Sequence, residues 1–417
     1  VSTSLYLHIP FCTHRCAYCD FNTYAGQEGL IPAYVDALRN EIRAVGQSAA
    51  RTLELGTVFF GGGTPSLLTP SQFESILEAV STHFELSPTA ELTFEANPGT
   101  VSAESLRQLR QAGMNRISLG VQSANSEELR MLERAHSFID VINAVKWARQ
   151  AGFDNLNLDL IYALPEQTMS TWQATVERVL ALHPEHLSLY ALTLEHGTPF
   201  GRWANRGLLP LPDPDLAADM YEWSSEVLAA NGYIQYEISN WALNDGGQRT
   251  EDQGKLPSSV IGLPSFACKH NLQYWRNLDY LGVGAGAHGY AAGVRYSNVL
   301  RIKTYIERLS NIPYRHDVQY PISNISFPLT PATVNQHRNS PYEDMQETMM
   351  TGLRLTGEGV SASQFHERFG APLIDVFGKE IEELLGFHLL EWIGDTLCLS
   401  EHGRLLGNQV FMRFVGE

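Results

Sequence analysis

Residues 8–22 read HIPFCTHRCAYCDFN and hold three of the chain's five cysteines, Cys12, Cys16 and Cys19, at the spacing C-x3-C-x2-C. The other two, Cys268 and Cys398, lie far along the chain. Three sulfurs this close would oxidise unless something occupied them, so the run reads as a metal ligand set. The number is informative. Structural zinc sites are usually closed by four ligands, and a four-iron cluster has four corners to ligate. Three cysteines on such a cluster leave one iron open to a small molecule. From spacing alone two other readings stay open: a zinc site completed by His8 or His14, or three unrelated core cysteines.

Outward from that run, length and composition set bounds. With 417 residues, 44% of them hydrophobic, the chain suits one barrel-sized domain plus a smaller unit. No stretch approaches the roughly 20 apolar residues of a membrane span, and VSTSLYLHIPFC lacks a secretory hydrophobic region. Five cysteines, odd in number and clustered, make no disulfide framework, which points to a reducing cytoplasm. The net charge of −17 argues against broad attraction to nucleic acid or anionic lipid. Any membrane contact would be peripheral, and the oligomeric state is left open.

The first half alternates short apolar runs with amphipathic stretches. Strands are expected at 5–9, 57–60, 91–95, 116–119, 156–160 and 187–192. Helices are expected at 31–46, 71–84, 103–112, 127–132 leading into 138–151, and 171–182. Thr69-Pro70-Ser71 offers a cap with an early proline, and Gly113 and Gly152 follow helical runs as stops. This alternation predicts repeated βαβ units and a parallel sheet, with too few units to close an eight-fold barrel. In such sheets chemistry gathers at the C-terminal strand ends. Polar or glycine-rich groups do stand there: Gly61-Gly62-Gly63-Thr64-Pro65, Glu95-Ala96-Asn97-Pro98, Gly120-Val121-Gln122-Ser123, and Asp159. Taken singly these are weak. A tight turn explains a glycine triplet, Glu95 reads as a solvated strand end, and Arg134 reads as a helix-surface cation.

Together with YLHIPFC before it and YCDFN after it, the cysteine run resembles the radical S-adenosylmethionine (SAM) superfamily, in its HemN/HemW branch. The resemblance implies an α/β fold, a partial (β/α)6 TIM-like barrel over roughly residues 1–230. It implies a [4Fe–4S] cluster on Cys12, Cys16 and Cys19, with SAM on the fourth iron. Gly62, Gly63, Thr64 and Pro65 match the family's GGGTP motif, which cradles the methionine amino group of SAM. Gln122 and Arg134 match polar SAM-contacting positions, and Glu95 joins the SAM set because Asn97-Pro98-Gly99 follows it as in the family. Asp159, a carboxylate in an apolar strand, needs a partner, either a ligand hydroxyl of SAM or a neighbouring backbone amide. Tyr6 matches a position that packs near SAM, and Tyr18 is placed with it. An arginine suits the SAM carboxylate because its planar fork donates two parallel hydrogen bonds. A reduced cluster in this superfamily passes an electron into SAM, so an electron donor is an implied partner.

Within the branch, the coproporphyrinogen oxidases carry a further cysteine two residues after the third and a long N-terminal arm. Here Phe21 takes that place and 11 residues precede Cys12. Residues 270–275, HNLQYW, match the HNxxYW pattern of the HemW heme chaperones. His270 is the expected heme ligand, since imidazole is a common axial ligand, with Cys268 a lesser candidate. The resemblance therefore favours a chaperone that carries heme to acceptor proteins. The alternatives are an oxygen-independent coproporphyrinogen III oxidase, which decarboxylates a tetrapyrrole, and a methyltransferase of the same branch. The segment LGVGAGAHG, 281–289, resembles a phosphate cradle, but no strand and helix context is clear in the sequence. Residues 231–341 read as a connecting region with two polar insertions, 244–264 and 323–341. From 342 onward, helices at 345–355, 361–369 and 373–385 precede strands at 389–393 and 396–399. That order resembles the small, mostly helical winged-helix domain of HemN-like proteins. Its acidic balance argues for packing or partner contact and not for DNA.

Overall fold

The computed structural model describes residues 2–245, 263–310 and 326–415. Residues 246–262 and 311–325, which carry most of the first polar insertion and the start of the second, lie outside the described residues. The chain divides into two compact units. The first comprises Val1–Glu185, Leu189–Met220 and Asp279–Arg338, and the second His186–Ser188, Tyr221–Leu278 and Asn339–Glu417. Residues 231–278 thus count with the second unit and 279–338 with the first.

All six expected strands of the first half form: β1 (Thr3–Ile9), β2 (Glu54–Gly62), β3 (Glu85–Ala96), β4 (Arg116–Gln122), β5 (Leu156–Tyr162) and β6 (His186–Ala191). The helices between them are α1 (Ile31–Ser48), α2 (Pro70–His83), α3 (Ala103–Gln111), α4 (Ser126–Met131), α5 (Phe138–Ala151) and α6 (Met169–Leu180). Strands β1 to β5 pair in parallel, each with its successor in the chain. Their order is linear, so the sheet is open rather than closed. Leu5, Leu7 and Ile9 on β1, Val58 and Phe60 on β2 and Phe94 on β3 have no exposed surface. Within each strand they alternate with other residues and so share one face, the apolar side on which helices pack.

Local chemistry agrees with the chain order. Helices α2, α3, α5 and α6 each begin with a reciprocal cap, from Thr69, Ser102, Ser137 and Thr168 respectively. Each side-chain cap contributes about 1 kcal/mol and fixes where a helix leaves its loop. Gly152 then ends α5 at φ +89°.

On the other side of β1 stands a strand that the sequence did not disclose. Tyr280–Val283 pairs in parallel with β1, and His288–Ala291, Val294–Asn298 and Thr333–Arg338 continue the sheet antiparallel. The glycine-rich segment 281–289 therefore starts within one strand and ends within the next, with no helix between them.

In the second unit, residues 341–415 form the expected helices, Pro341–Gly352, Ala362–Phe369 and Leu373–Gly386, and the strand pair Leu390–Ile393 and Thr396–Leu399. A short strand, Val360–Ser361, joins the pair as a third. Two further helices, Glu401–Leu405 and Gly407–Val415, were not anticipated. The second buries Val410, Phe411 and Phe414 in the core of this unit, against residues such as Phe377 and Leu384.

Candidate cofactor site

A cavity of ≈ 430 Å³ opens in the first unit at the C-terminal ends of its strands. Cys12, Cys16 and Cys19 line it, together with Tyr18, Gly62, Gly63, Thr64, Glu95, Gln122, Arg134 and Asp159. Eleven of the fourteen residues singled out from the sequence thus share one space. Tyr6 and Pro65 do not line it. The Tyr6 hydroxyl is 3.0 Å from His8 Nδ1 and its ring stacks on Phe59. Pro65 is buried and begins a short 3₁₀ turn. His270 belongs to the second unit.

The cysteine loop is tethered at both ends: Phe11–Cys12 and Tyr24–Ala25 form a two-stranded ladder. Each sulfur has a polar neighbour of its own. The Thr64 hydroxyl donates to Cys12 Sγ at 3.6 Å, Arg134 donates to Cys16 Sγ at 3.6 Å, and the Thr23 hydroxyl lies 3.9 Å from Cys19 Sγ. Burial pushes the Cys12 and Cys19 thiols above their usual range. Sulfurs in such a setting favour the thiolate only when a metal supplies positive charge. Among the described residues, no group of three His, Cys, Asp or Glu side chains converges tightly enough to hold a single ion. Zinc needs every ligand within about 2.3 Å of one centre, whereas a cluster presents a separate iron to each thiolate. Neither histidine completes a zinc set: both ring nitrogens of His8 are engaged, by Tyr6 and by the Asn22 carbonyl, and His14 pairs with Glu133. The donor set suits a cluster held at three corners.

The opposite wall is built from backbone and charge. A Cβ on Gly63 would come within 2.6 Å of the Phe11 carbonyl oxygen, and one on Gly62, at φ +111°, within 2.4 Å of the His8 ring. Only glycine lets this strand end pass so close to the cysteine loop. The Gly62 amide donates to Glu95 at 3.0 Å. Burial, then the neighbouring Asp159 charge, push the Glu95 carboxyl up to about 7. Asp159 accepts from Ser118 and from Asn157, both at 2.8 Å. At the end of β4 the register with β5 slips between Gly120 and Gln122, and Gln122 takes φ +66°. A bulge of this kind re-aims a side chain. Arg134 donates to the Gly120 carbonyl at 2.8 Å, while its buried Nε has no partner among the described residues. Arg134 lines the cavity, and a guanidinium there suits an anionic group on a ligand.

The structure adds residues that the sequence reading passed over. Ser118, Thr23 and Tyr190 line the same cavity. Ser118 lies one alternation before Gly120 on β4 and could have been found from strand phase. Thr23 carries no motif. Phe21, where the oxidases have a cysteine, is 64% exposed on the rim.

In the second unit His270 lies on the helix Lys269–Trp275 and is buried. Its Nε2 is 2.7 Å from the Tyr274 hydroxyl, one turn on. Cys268 and Cys398 are buried as well. Among the described residues no helix is long and apolar enough to cross a membrane.

Comparison with known proteins follows the same lines. Residues 6–179 match the radical SAM superfamily and residues 339–406 the HemN C-terminal domain. The chain is 37% identical to the heme chaperone HemW of Lactococcus lactis, over 99% of this chain and 97% of that one. It is 36% identical to the heme chaperone HemW of Bacillus subtilis, over 99% of each. The solved structure of coproporphyrinogen III oxidase, HemN, from Escherichia coli superposes with a TM-score of 0.77. That match covers 99% of this chain and 90% of the other at 23% identity, and so speaks for the fold. Likeness of this extent, along nearly the whole of two bacterial HemW proteins, makes the chain a member of the HemW family within the radical SAM superfamily.

Proposed function

We propose that this chain is a heme chaperone, which binds heme and hands it to acceptor proteins from a core that holds one [4Fe–4S] cluster and SAM. The observation that carries the reading is its full-length likeness to proteins named as heme chaperones. The absence of a fourth cysteine at position 21 supports it against the decarboxylase alternative.

Each residue then has a task. Cys12, Cys16 and Cys19 hold three irons, and the hydroxyl and guanidinium neighbours of their sulfurs orient them and tune the potential. Gly62 and Gly63 bring bare backbone to the amino group of SAM, with Thr64 and Pro65 fixing the turn. Arg134 takes the SAM carboxylate, and Gln122 stands beside it. Glu95 and Asp159 face the ammonium and the ribose hydroxyls. A cationic ligand group beside Glu95 would return its carboxyl to the charged form. Tyr18 covers the cluster side, and Tyr6 holds His8 from behind. Cluster and SAM together supply one-electron chemistry at a sulfonium, so an electron donor is the implied partner. A reducing cytoplasm suits a group of unpaired thiols of this kind.

Heme binding is assigned to His270. Its Nε2 is engaged by Tyr274, so axial ligation through that nitrogen requires the hydroxyl to move away. The test uses the full chain, reconstituted anaerobically and given either heme or coproporphyrinogen with SAM and a reductant. Stable heme uptake that is lost on His270→Ala, without turnover of coproporphyrinogen, supports the chaperone. Formation of protoporphyrinogen overturns it in favour of the oxidase.

A further inference from the structure

The glycine pattern of 281–289 suggests a cradle for phosphate, and such a cradle needs free amides. Here they are engaged. Gly282 donates to the Tyr296 hydroxyl, Gly284 to the Glu41 carboxylate, Ala285 to the Tyr34 hydroxyl, Gly286 to the Val299 carbonyl and Ala287 to the Gly284 carbonyl. All five distances lie between 2.8 and 3.1 Å. The segment offers a phosphate nothing.

What it does hold is Asn22, three residues beyond Cys19. The Asn22 amide donates to the Ala285 carbonyl at 3.0 Å and to the Leu300 carbonyl at 3.1 Å. Its own backbone carbonyl accepts from His8 Nε2 at 3.0 Å. The fit is close: a Cβ on Gly286, at φ +82°, would stand 2.3 Å from Asn22 Nδ2. Behind the segment, Glu41 is wholly buried and accepts from the Gly284 amide, Asn298, Tyr305 and Thr330. A carboxylate with four donors is a fixed post.

We propose that the 281–289 segment is a backstop for the cysteine loop and that Asn22 is the positioning residue through which it acts. Glu41 fixes the segment, the segment fixes Asn22, and Asn22 fixes the end of the loop that carries Cys19. Ligands held this way keep their geometry when a cluster is loaded, because the supporting shell restricts them. The inference rests on Cys12, Cys16 and Cys19 being cluster ligands.

The test compares the full chain with Asn22→Ala, Asn22→Asp, Gly286→Ala and the control Gly29→Ala, whose added Cβ meets nothing within 4 Å. Each is loaded anaerobically with iron and sulfide. Three properties are read: the electron paramagnetic resonance spectrum of the reduced cluster, the rate of iron loss to a chelator, and the melting temperature of the metal-free form. Asn22→Ala and Gly286→Ala should shift the spectrum and lose iron about tenfold faster, with the control unchanged. Asn22→Asp should do no better than alanine, because it keeps the size and offers the two carbonyls no hydrogens. Parental spectra and parental iron loss in the Asn22 and Gly286 variants overturn the inference, whether or not their melting temperatures fall. If the unmodified chain takes up no cluster, the ligand assignment itself falls and this inference with it.

Discussion

Two glutamates of the first unit, Glu41 on α1 and Glu95 at the end of β3, answer burial in opposite ways. Burial is the leading cause pushing both carboxyls above their usual range. Glu41 is surrounded by four donors from distant parts of the chain. Glu95 has one hydrogen bond among the described residues, from the Gly62 amide, and faces the cavity beside Asp159. Burial therefore does not distinguish a structural carboxylate from a binding one. The number of donors does: a satisfied group has nothing to offer a ligand, and an under-satisfied one at a cavity wall does.

The contrast can be broken most decisively at Glu41. Glu41→Ala leaves four buried donors without their acceptor and should cost about 3–5 kcal/mol in urea unfolding. A loss below about 1 kcal/mol would show that Glu41 is no post. The pH dependence of stability separates the two groups next. The folded Glu95 carboxyl sits at about 7 against an ordinary 4.5, so the folded chain holds the extra proton between those values. Stability from this group is fully present below about pH 4.5 and is lost as pH rises through 7. Relative to Glu95→Gln, the parent should lose at most about 3 kcal/mol across that window. Less is expected, because Glu95 lines a cavity that water can enter and screen. A flat difference refutes the assignment.

Ligand binding gives a third measurement. Glu95→Gln should weaken SAM binding to the cluster-loaded protein about 10- to 100-fold in calorimetry, the range for losing a hydrogen bond to a charged group. Its melting temperature at pH 7 should not fall. Equal affinity would return Glu95 to the status of a strand end. The smallest effect extends the comparison to the second unit, where His270 is another buried titratable group with a partner. Tyr274→Phe removes the hydroxyl on His270 Nε2 and should tighten heme uptake about fivefold, the value of one net hydrogen bond. Weaker uptake would make Tyr274 part of the heme site.

Much of this was readable along the chain. The six strands and six helices of the first half fell close to their expected bounds because apolar periodicity, caps and stop glycines agree there. At 407–415 the pattern failed. Val410, Phe411 and Phe414 are buried in this unit's core, but they sit in a short run after a glycine, with no cap to announce a helix. The strand Tyr280–Val283 was missed for a related reason: four residues that overlap a glycine-rich run, one of them Gly282, carry no alternation of their own. Its pairing with β1 makes it a strand.

What the sequence determined alone is what lies within a few residues: three thiols inside eight positions, and periodicities that commit each stretch to helix or strand. Tertiary structure decided which polar groups are already satisfied. Asn22 meets Ala285 across 263 positions, and Glu41 meets Thr330 across 289. A hydrogen bond between residues so distant leaves no local trace in composition or spacing, because its geometry exists only once the sheet has brought the two segments together.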